Sequence, residues 1–185
     1  LWPHLLKGEG HYIARFRKGG ISCANPETKK DARLEGKGKG RGKNGQKDIG
    51  EQVQHFLTEE LGLPEDWMER NGGILRSFGE NVYLMPSAMP PIEGMKIVRP
   101  GLHLVTNKKN RMEPAHSLAL ALHIEETDRV VNLTQEEAGR YFHGESLSGQ
   151  CGKGWTLMSY LGYPLGFGKV ANGQIKNHYP KGLRR

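Results

Sequence analysis

The stretch Trp155-Thr-Leu-Met-Ser-Tyr-Leu-Gly-Tyr-Pro-Leu-Gly-Phe-Gly-Lys-Val170 predicts a β-hairpin. Residues 155–160 and 165–170 are rich in apolar and aromatic side chains, which favour strands, and a Gly-Tyr-Pro turn separates them. Gly166 and Gly168 interrupt the second strand, and small residues inside a strand indicate a bulge or the close approach of another backbone or a ligand. The sequence therefore predicts a hairpin with one irregular strand.

A short strand and a capped helix are predicted before this hairpin. Val130–Leu133 is an apolar run of strand length. Thr134 is followed three residues later by Glu137. This is the spacing of a capping box, and it predicts a helix that ends near Phe142.

A further strand and a buried helix are predicted upstream. Leu102–Val105 has the composition of a strand, and Glu113–Leu122 is a run of Ala and Leu with Pro114 in its first turn. Together with the hairpin, these elements predict a compact domain of mixed helix and strand over residues 96–185.

A smaller subdomain is predicted at residues 51–95. Apolar side chains recur there at helical spacing, and Gly62 follows as a stop signal. Ile74–Phe78 and Asn81–Met85 flank a Gly-Glu turn and predict a hairpin, which prolines at 86, 90 and 91 close. The apolar helical positions are Val53, Phe56, Leu57 and Leu61.

The residues before this subdomain predict little packed structure. Residues 10–17 alternate in the strand period but have no partner strand nearby. Residues 36–47 alternate glycine with Lys or Arg and contain no apolar side chain, so we interpret 21–50 as a flexible linker. A glycine-rich phosphate loop is the alternative, but such a loop requires a strand before it and a helix after it.

The positive charge is concentrated in two segments. The formal net charge is +7; residues 29–47 hold eight Lys or Arg against two acids, and residues 169–185 hold five against none. Residues 48–168 are mildly acidic, with sixteen acids against ten bases. His178 and Tyr179 are interleaved with the last cations, and this mixture is typical of surfaces that bind phosphates and bases. A solvated basic terminus without a partner is the alternative.

Composition disfavours several classes of protein. No apolar run approaches the roughly 20 residues of a membrane span, and no signal-like succession follows Leu1, so we predict a cytoplasmic location. Cys23 and Cys151 are too few for a disulfide framework and lie outside metal or redox motifs. His116 and His123 lack further ligands at metal-binding offsets, so we predict no metal site.

Five segments of the chain resemble, in order, one family of RNA-modifying enzymes. They are similar to the C-terminal portion of the RsmF-like branch of the Sun-family RNA cytosine-5 methyltransferases, over nearly the whole chain. The most specific segment is the closing Asn177-His-Tyr-Pro-Lys-Gly-Leu-Arg184 string, which extends back to Lys176. The other four are Leu1–His4, Lys7–His11, Arg111–Ala119 and Gly166–Lys169.

The resemblance implies an α+β architecture in four parts. Residues 1–20 correspond to an orphan terminal strand of a truncated Rossmann-like methyltransferase domain, and 21–50 to the flexible linker. Residues 51–95 correspond to the small helix-plus-hairpin subdomain, and 96–185 to a PUA-like mixed β-barrel domain that binds RNA. S-adenosylmethionine is expected for the full-length parent and no cofactor is expected in this chain.

The resemblance does not extend to catalytic residues. The family's cysteines stand in Pro-Cys and Thr-Cys motifs, whereas Cys23 stands in Ser-Cys-Ala and Cys151 in Gln-Cys-Gly. Because attack on the cytosine ring requires a thiolate, we expect no catalytic residue in this chain. The implied role is to position small-subunit rRNA for methylation by the missing catalytic domain. The expected partners are ribosomal RNA or the small ribosomal subunit, and that catalytic domain.

Nine residues are predicted to contact RNA, because cations fix phosphates and rings stack on exposed bases. A purely structural role is the alternative for some of these residues and for residues near them in the sequence. The Lys108–Lys109 pair also suits a solvated turn, His116 and Tyr179 suit packing within the fold, Trp155 suits the core, and Glu113 suits the dipole of the following helix. The nine predicted residues are Lys108, Lys109, Arg111, Lys169, Lys176, His178, Lys181, Arg184 and Arg185.

Two other functions fit the same sequence. The chain suits a stand-alone RNA-binding or ribosome-associated adaptor module. It also suits a protein-docking region without RNA contact, in which the acidic middle segment faces a basic partner. A basic surface made jointly by residues 108–111 and 169–185 would favour RNA over the docking function.

Overall fold

A computed structural model describes residues 43–88, 97–109, 111–149 and 152–185, and the side chains from residue 49 onward. The predicted strand at 10–17, the part of the predicted linker before residue 43, and both cysteines lie outside the described residues.

The first part of the described chain is a helical segment followed by a four-stranded antiparallel sheet in the order β1-β2-β3-β4. Val53, Phe56, Leu57 and Leu61 are all buried, as their spacing predicted. Gly62 follows the helical segment with φ +67°, a conformation that only glycine adopts readily. The elements are α1 (Lys43–His55), a π-helix (Phe56–Glu60), α2 (Trp67–Arg70), β1 (Ile74–Phe78), β2 (Asn81–Met85), β3 (Leu102–Lys108) and β4 (Arg111–Pro114).

The second part is built on a five-stranded sheet in the order β5-β7-β8-β9-β6. Strand β5 runs parallel to β7, and the other pairs are antiparallel. The β7–β8 hairpin at its centre is the one predicted from the sequence, and this mixture of helix and sheet fits the predicted α+β class. The elements are α3 (His116–Ala121), a 3₁₀ helix (Ile124–Glu126), β5 (Val130–Asn132), α4 (Gln135–His143), β6 (Leu147–Ser148), β7 (Gly154–Tyr160), β8 (Tyr163–Ala171), β9 (Gln174–Asn177) and a second 3₁₀ helix (Lys181–Leu183).

The irregularity predicted in the second hairpin strand is present. The register shifts between Met158 and Ser159, and a Cβ at Gly166 would lie 2.5 Å from Tyr141 Oη, closer than any side chain tolerates. Tyr141 Oη donates a hydrogen bond to the Phe167 carbonyl at 3.0 Å. Burial raises the pKa of Tyr141, so the hydroxyl keeps its proton and this bond ties α4 to β8.

One apolar core connects the two sheets. Val82 and Leu104 of the first sheet and Trp155 and Phe167 of the second belong to the same buried cluster. The first sheet also continues across residue 95, where the sequence predicted a subdomain boundary, because β2 pairs with β3. A second cluster lies under α4 and includes Tyr141, Met158 and Ile175.

The predicted capping box begins α4. Glu137 N donates to Thr134 Oγ1 at 3.3 Å, and Thr134 N donates to Glu137 Oε2 at 2.9 Å. Gly144, with φ +92°, ends the helix in the left-handed conformation. The local sequence therefore determines both ends of the helix that supports β8.

Replacing Thr134 with alanine is expected to lower the free energy of unfolding by about 1 kcal/mol, because the N-cap acceptor is lost. Urea denaturation followed by circular dichroism measures this difference. Thr134→Ser keeps a hydroxyl at the cap and is expected to behave as the unchanged protein. An equal loss in both variants would contradict the capping explanation.

The helix predicted at Glu113–Leu122 begins later than expected. Arg111–Pro114 forms β4, which pairs with β3, and α3 starts at His116. Pro114 fits this position because β4 is an edge strand, where the missing N–H breaks no ladder bond. The interpretation of Glu113 as a favourable charge at a helix N-terminus was therefore wrong, since Glu113 lies on a strand.

Two further boundaries differ from the sequence prediction. The helix predicted at residues 51–62 begins at Lys43, inside the predicted linker. The basic C-terminal segment contains β9, which pairs with both β8 and β6. Ile175 of β9 is 2% exposed, and this buried apolar residue anchors the charged segment to the fold.

Candidate nucleic-acid interface

Three neighbouring strands place Trp155, Lys169 and Lys176 in one row. Trp155 of β7 is opposite Lys169 of β8, and Lys169 is opposite Lys176 of β9. Residues directly opposite each other in an antiparallel pair project from the same face of the sheet. Lys169 Nζ lies 5.0 Å from the centroid of the Trp155 ring, within the range of a cation–π contact. Trp155 is buried, so it supports the lysine from below.

Lys169 and Lys176 form a like-charged pair. Both side chains are exposed, and no carboxylate among the described residues lies within 4.0 Å of either ammonium group. Like charges directly opposite on neighbouring strands destabilise a sheet. The arrangement is thus unfavourable for folding and favourable for holding an anion.

His178 follows β9 and packs against Trp155. The ring centroids of His178 and Trp155 are 4.5 Å apart in an edge-to-face arrangement, and His178 N donates to the Phe167 carbonyl at 3.2 Å. Burial lowers the pKa of His178, and the charges of Lys169, Lys176 and Arg111 lower it further while that of Glu113 raises it. The imidazole is therefore mainly neutral at pH 7 and offers one donor and one acceptor.

Strands β3 and β4 bring two more predicted cations to this region. Lys108 Nζ donates to Glu113 Oε2, and Arg111 Nε lies 2.9 Å from Glu113 Oε1. Burial alone would raise the pKa of Glu113, but the hydrogen bond from Lys108 and the charges of Lys108, Arg111 and His178 lower it overall. Glu113 thus stays ionised and holds both cations in place, beside an exposed Lys109.

The last three predicted residues, Lys181, Arg184 and Arg185, follow Tyr179 in the sequence. The Arg184 guanidinium donates to the Tyr179 carbonyl at 3.1 Å from Nη2, and Arg185 N donates to the Phe142 carbonyl at 3.3 Å. These contacts hold residues 184 and 185 against α4, so Arg184 has a structural role. Lys181 is exposed.

Several residues outside the nine also build the interface. Asn177 Nδ2 donates to the carbonyls of Tyr141 and Glu145 at 2.8 and 2.9 Å, which fixes the end of β9 just before His178. Tyr179 packs edge-on against His116, with ring centroids 5.3 Å apart, and thus lies within the fold as its apolar neighbours predicted. The sequence analysis did not predict the supporting role of Asn177, although Asn177 opens the segment that carries the most specific part of the family resemblance.

Within the described ranges, no cluster of three or more His, Cys, Asp or Glu side chains is placed to hold a metal ion. Among the helices described, none is both long enough and apolar enough to cross a membrane.

Two family models match the chain. Residues 56–122 match the model described as RsmF rRNA methyltransferase first C-terminal domain, and residues 128–185 match the Methyltransferase RsmF PUA domain. These models divide the chain between residues 122 and 128, whereas the sequence predicted a boundary at 95.

Similar curated proteins have one name, Ribosomal RNA small subunit methyltransferase F. The protein of Vibrio atlanticus (strain LGP32) is 30% identical over 195 residues, which cover 100% of this chain and 38% of that relative. The protein of Aliivibrio fischeri (strain MJ11) is 29% identical, with 100% of this chain and 37% of the relative covered. The protein of Shewanella amazonensis (strain ATCC BAA-1098 / SB2B) is 28% identical, with 100% and 38% covered. The chain thus spans less than two fifths of the length of these relatives.

Proposed function

The chain belongs to the RsmF rRNA methyltransferase family, and we propose from this premise that its described residues bind ribosomal RNA and present it to a catalytic domain. The substrate named by the relatives is the RNA of the small ribosomal subunit. The role of this region is then recognition and placement, and methyl transfer belongs to the catalytic domain of the longer protein.

The like-charged pair of Lys169 and Lys176 carries this proposal. Two like charges directly opposite each other in a sheet repel and destabilise it. An RNA phosphate between the two ammonium groups would offset that repulsion and would release counterions on binding. Lys108 and Arg111, held by Glu113 on the neighbouring sheet, extend the positive surface.

Phosphate contacts of this kind fix the register of an RNA but do not read its sequence. The neutral His178 ring, with one donor and one acceptor, adds a group that can hydrogen-bond to a base or a 2′-hydroxyl. A cytosine must leave its stack before a methyltransferase reaches C5, so an RNA held rigidly at neighbouring phosphates lowers the cost of presenting that base.

The residues described here do not fit S-adenosylmethionine. A Rossmann-type cofactor site needs a glycine-rich turn between a strand and the helix that follows it. The two described strand-to-helix connections, at Ala115 and at Leu133–Thr134, contain no glycine. We therefore place the cofactor in the catalytic domain of the longer protein and assign it no residue here.

The salt dependence of RNA binding tests the proposed function. The change is the double substitution Lys169→Gln and Lys176→Gln, and the ligand is a hairpin from small-subunit rRNA. The slope of log Kobs against log salt is expected to become shallower by about 1.5, since each lost phosphate contact removes about 0.7–0.9. Fluorescence anisotropy at several salt concentrations measures the slope.

The control is Arg70→Gln, which removes an exposed cation on α2 that is paired with Asp66 and lies outside the predicted interface. Its slope is expected to match that of the unchanged protein. An unchanged slope in the double variant, with the protein folded, would mean that RNA does not bind at this pair.

A further inference from the structure

The first sheet carries a row of aromatic rings on its open face. Tyr83 of β2 is opposite Arg76 of β1 and also opposite His103 of β3, so these side chains share a face. The Tyr83 and His103 rings are stacked, with centroids 4.8 Å apart and an interplanar angle of 29°. Phe78 meets Tyr83 edge-on at 5.8 Å. The three rings form one continuous group, which we call the aromatic row.

The aromatic row points away from the core. Val82, Leu84 and Leu104 occupy alternate positions on the same strands, and all three are buried in the core that joins the two sheets. Phe78, in contrast, is 44% exposed. The apolar core of this sheet is therefore on the other face, whereas Phe78 is exposed and Tyr83 and His103 are half-buried on this one.

Polar contacts hold His103 in place as part of this row. His103 Nε2 lies 3.0 Å from the Val105 carbonyl and 3.3 Å from Thr106 Oγ1, and Thr106 Oγ1 donates to Asn81 Oδ1 at 3.1 Å. Burial lowers the pKa of His103, and the nearby charge of Arg99 lowers it further although the Val105 hydrogen bond opposes this. A fixed, neutral ring presents a flat face that suits stacking.

The charges around the aromatic row are mainly positive. Arg76 shares a face with Tyr83, and Thr106 shares its face with Glu113, which already holds Lys108 and Arg111. Arg111 and Glu113 are close enough to His178 to perturb its pKa. Thr106 and Glu113 share the face of the aromatic row, so this face combines rings with the cations that Glu113 holds.

We propose that Phe78, Tyr83 and His103 stack on unpaired bases of a single-stranded RNA segment whose phosphates contact Arg76, Lys108 and Arg111. The inference rests on the proposed function, because it assigns a second contact region to the same RNA ligand. Ring faces accept any base, so this region selects unpaired strand over duplex without selecting a sequence. The lysine pair, by contrast, contacts phosphates that are present in both forms.

The test compares two labelled RNAs, a single-stranded oligouridylate and a duplex of equal length, with the full chain as the protein. Phe78→Ala and Tyr83→Ala are each expected to weaken single-strand binding about tenfold and duplex binding less than about twofold, which corresponds to one lost stacking contact. Tyr163→Ala is the matched control, because Tyr163 is an aromatic residue that is 72% exposed on the other sheet. It is expected to change neither affinity.

The outcomes separate this inference from the proposed function. If the unchanged protein binds neither RNA, the proposed function fails and the inference fails with it. If it binds both, and Phe78→Ala and Tyr83→Ala leave the single-strand affinity unchanged in folded proteins, the aromatic row does not stack on RNA and the inference alone is overturned.

A second measurement uses the unchanged protein and does not depend on how the variants fold. Irradiation of a bound 5-bromouridine oligonucleotide joins it to aromatic side chains in contact with the base, and peptide mass spectrometry locates the linkage. Linkage to Phe78, Tyr83 or His103 is expected. Linkage confined to the second sheet would overturn the inference.

Discussion

Replacing Trp155 with alanine is expected to lower the free energy of unfolding by about 3–5 kcal/mol, the range for loss of a large aromatic side chain from a core. Trp155 is 3% exposed and belongs to the cluster that joins both sheets. Truncation removes apolar contacts on the inner side of the ring, and it also removes the support of Lys169 and His178 on the outer side. The core shared by both sheets then loses one of its largest side chains.

Denaturant unfolding followed by far-UV circular dichroism measures this loss, and the same protein is assayed for RNA affinity under native conditions. Trp155→Phe is the control, since phenylalanine keeps an aromatic ring at this position and leaves a smaller cavity than alanine. We expect it to lower the free energy of unfolding by less than half as much as Trp155→Ala. If Trp155→Ala unfolded with unchanged stability, the residue would not belong to the core.

Local signals allowed much of this fold to be predicted. The Thr134–Glu137 spacing predicted the start of α4, because a capping box depends only on residues three apart. The β1–β2 and β7–β8 hairpins were predicted because each pairs neighbouring strands through a short turn. Elements formed by contacts between neighbouring segments can be predicted from local sequence patterns alone, without knowledge of the tertiary packing.

Other elements depended on strand pairing that the local composition did not indicate. Arg111–Pro114 has the composition of a helix start, yet pairing with β3 made it a strand. Strand β9 was missed because only Ile175 is apolar within a polar, charged segment, although the Asn172-Gly173 turn that joins it to β8 is a local hairpin signal. The opposition of Lys169 and Lys176 follows from the pairing of β9 with β8, so the sequence predicted both lysines as site residues but not their geometry.

The aromatic row shows the same limit more clearly. Phe78, Tyr83 and His103 come from three strands, and none was singled out from the sequence. Each residue alone is ordinary for a strand. Only the register of β1, β2 and β3, with the irregularity after Val82, brings the rings together on one face.

Replacing Lys176 with glutamate is expected to weaken binding to the small-subunit rRNA hairpin by about 30-fold at low salt, because a phosphate contact is replaced by repulsion. The same substitution places a carboxylate opposite Lys169. Opposite charges in directly facing positions stabilise a sheet by about 0.2–1 kcal/mol, so the free energy of unfolding is expected to stay equal or to rise. Lys169 keeps its contact with the Trp155 ring.

This opposite movement of affinity and stability separates a binding role from a structural one. If Lys176 stabilised the fold, charge reversal would lower the free energy of unfolding. If Lys176 binds an anion, charge reversal lowers only the affinity for that anion. Lys176→Arg preserves the charge and is the matched control, expected to keep both the affinity and the stability of the unchanged protein. If Lys176→Glu bound the hairpin as tightly as Lys176→Arg, the lysine pair would not contact RNA, and the repulsion between Lys169 and Lys176 would need another explanation.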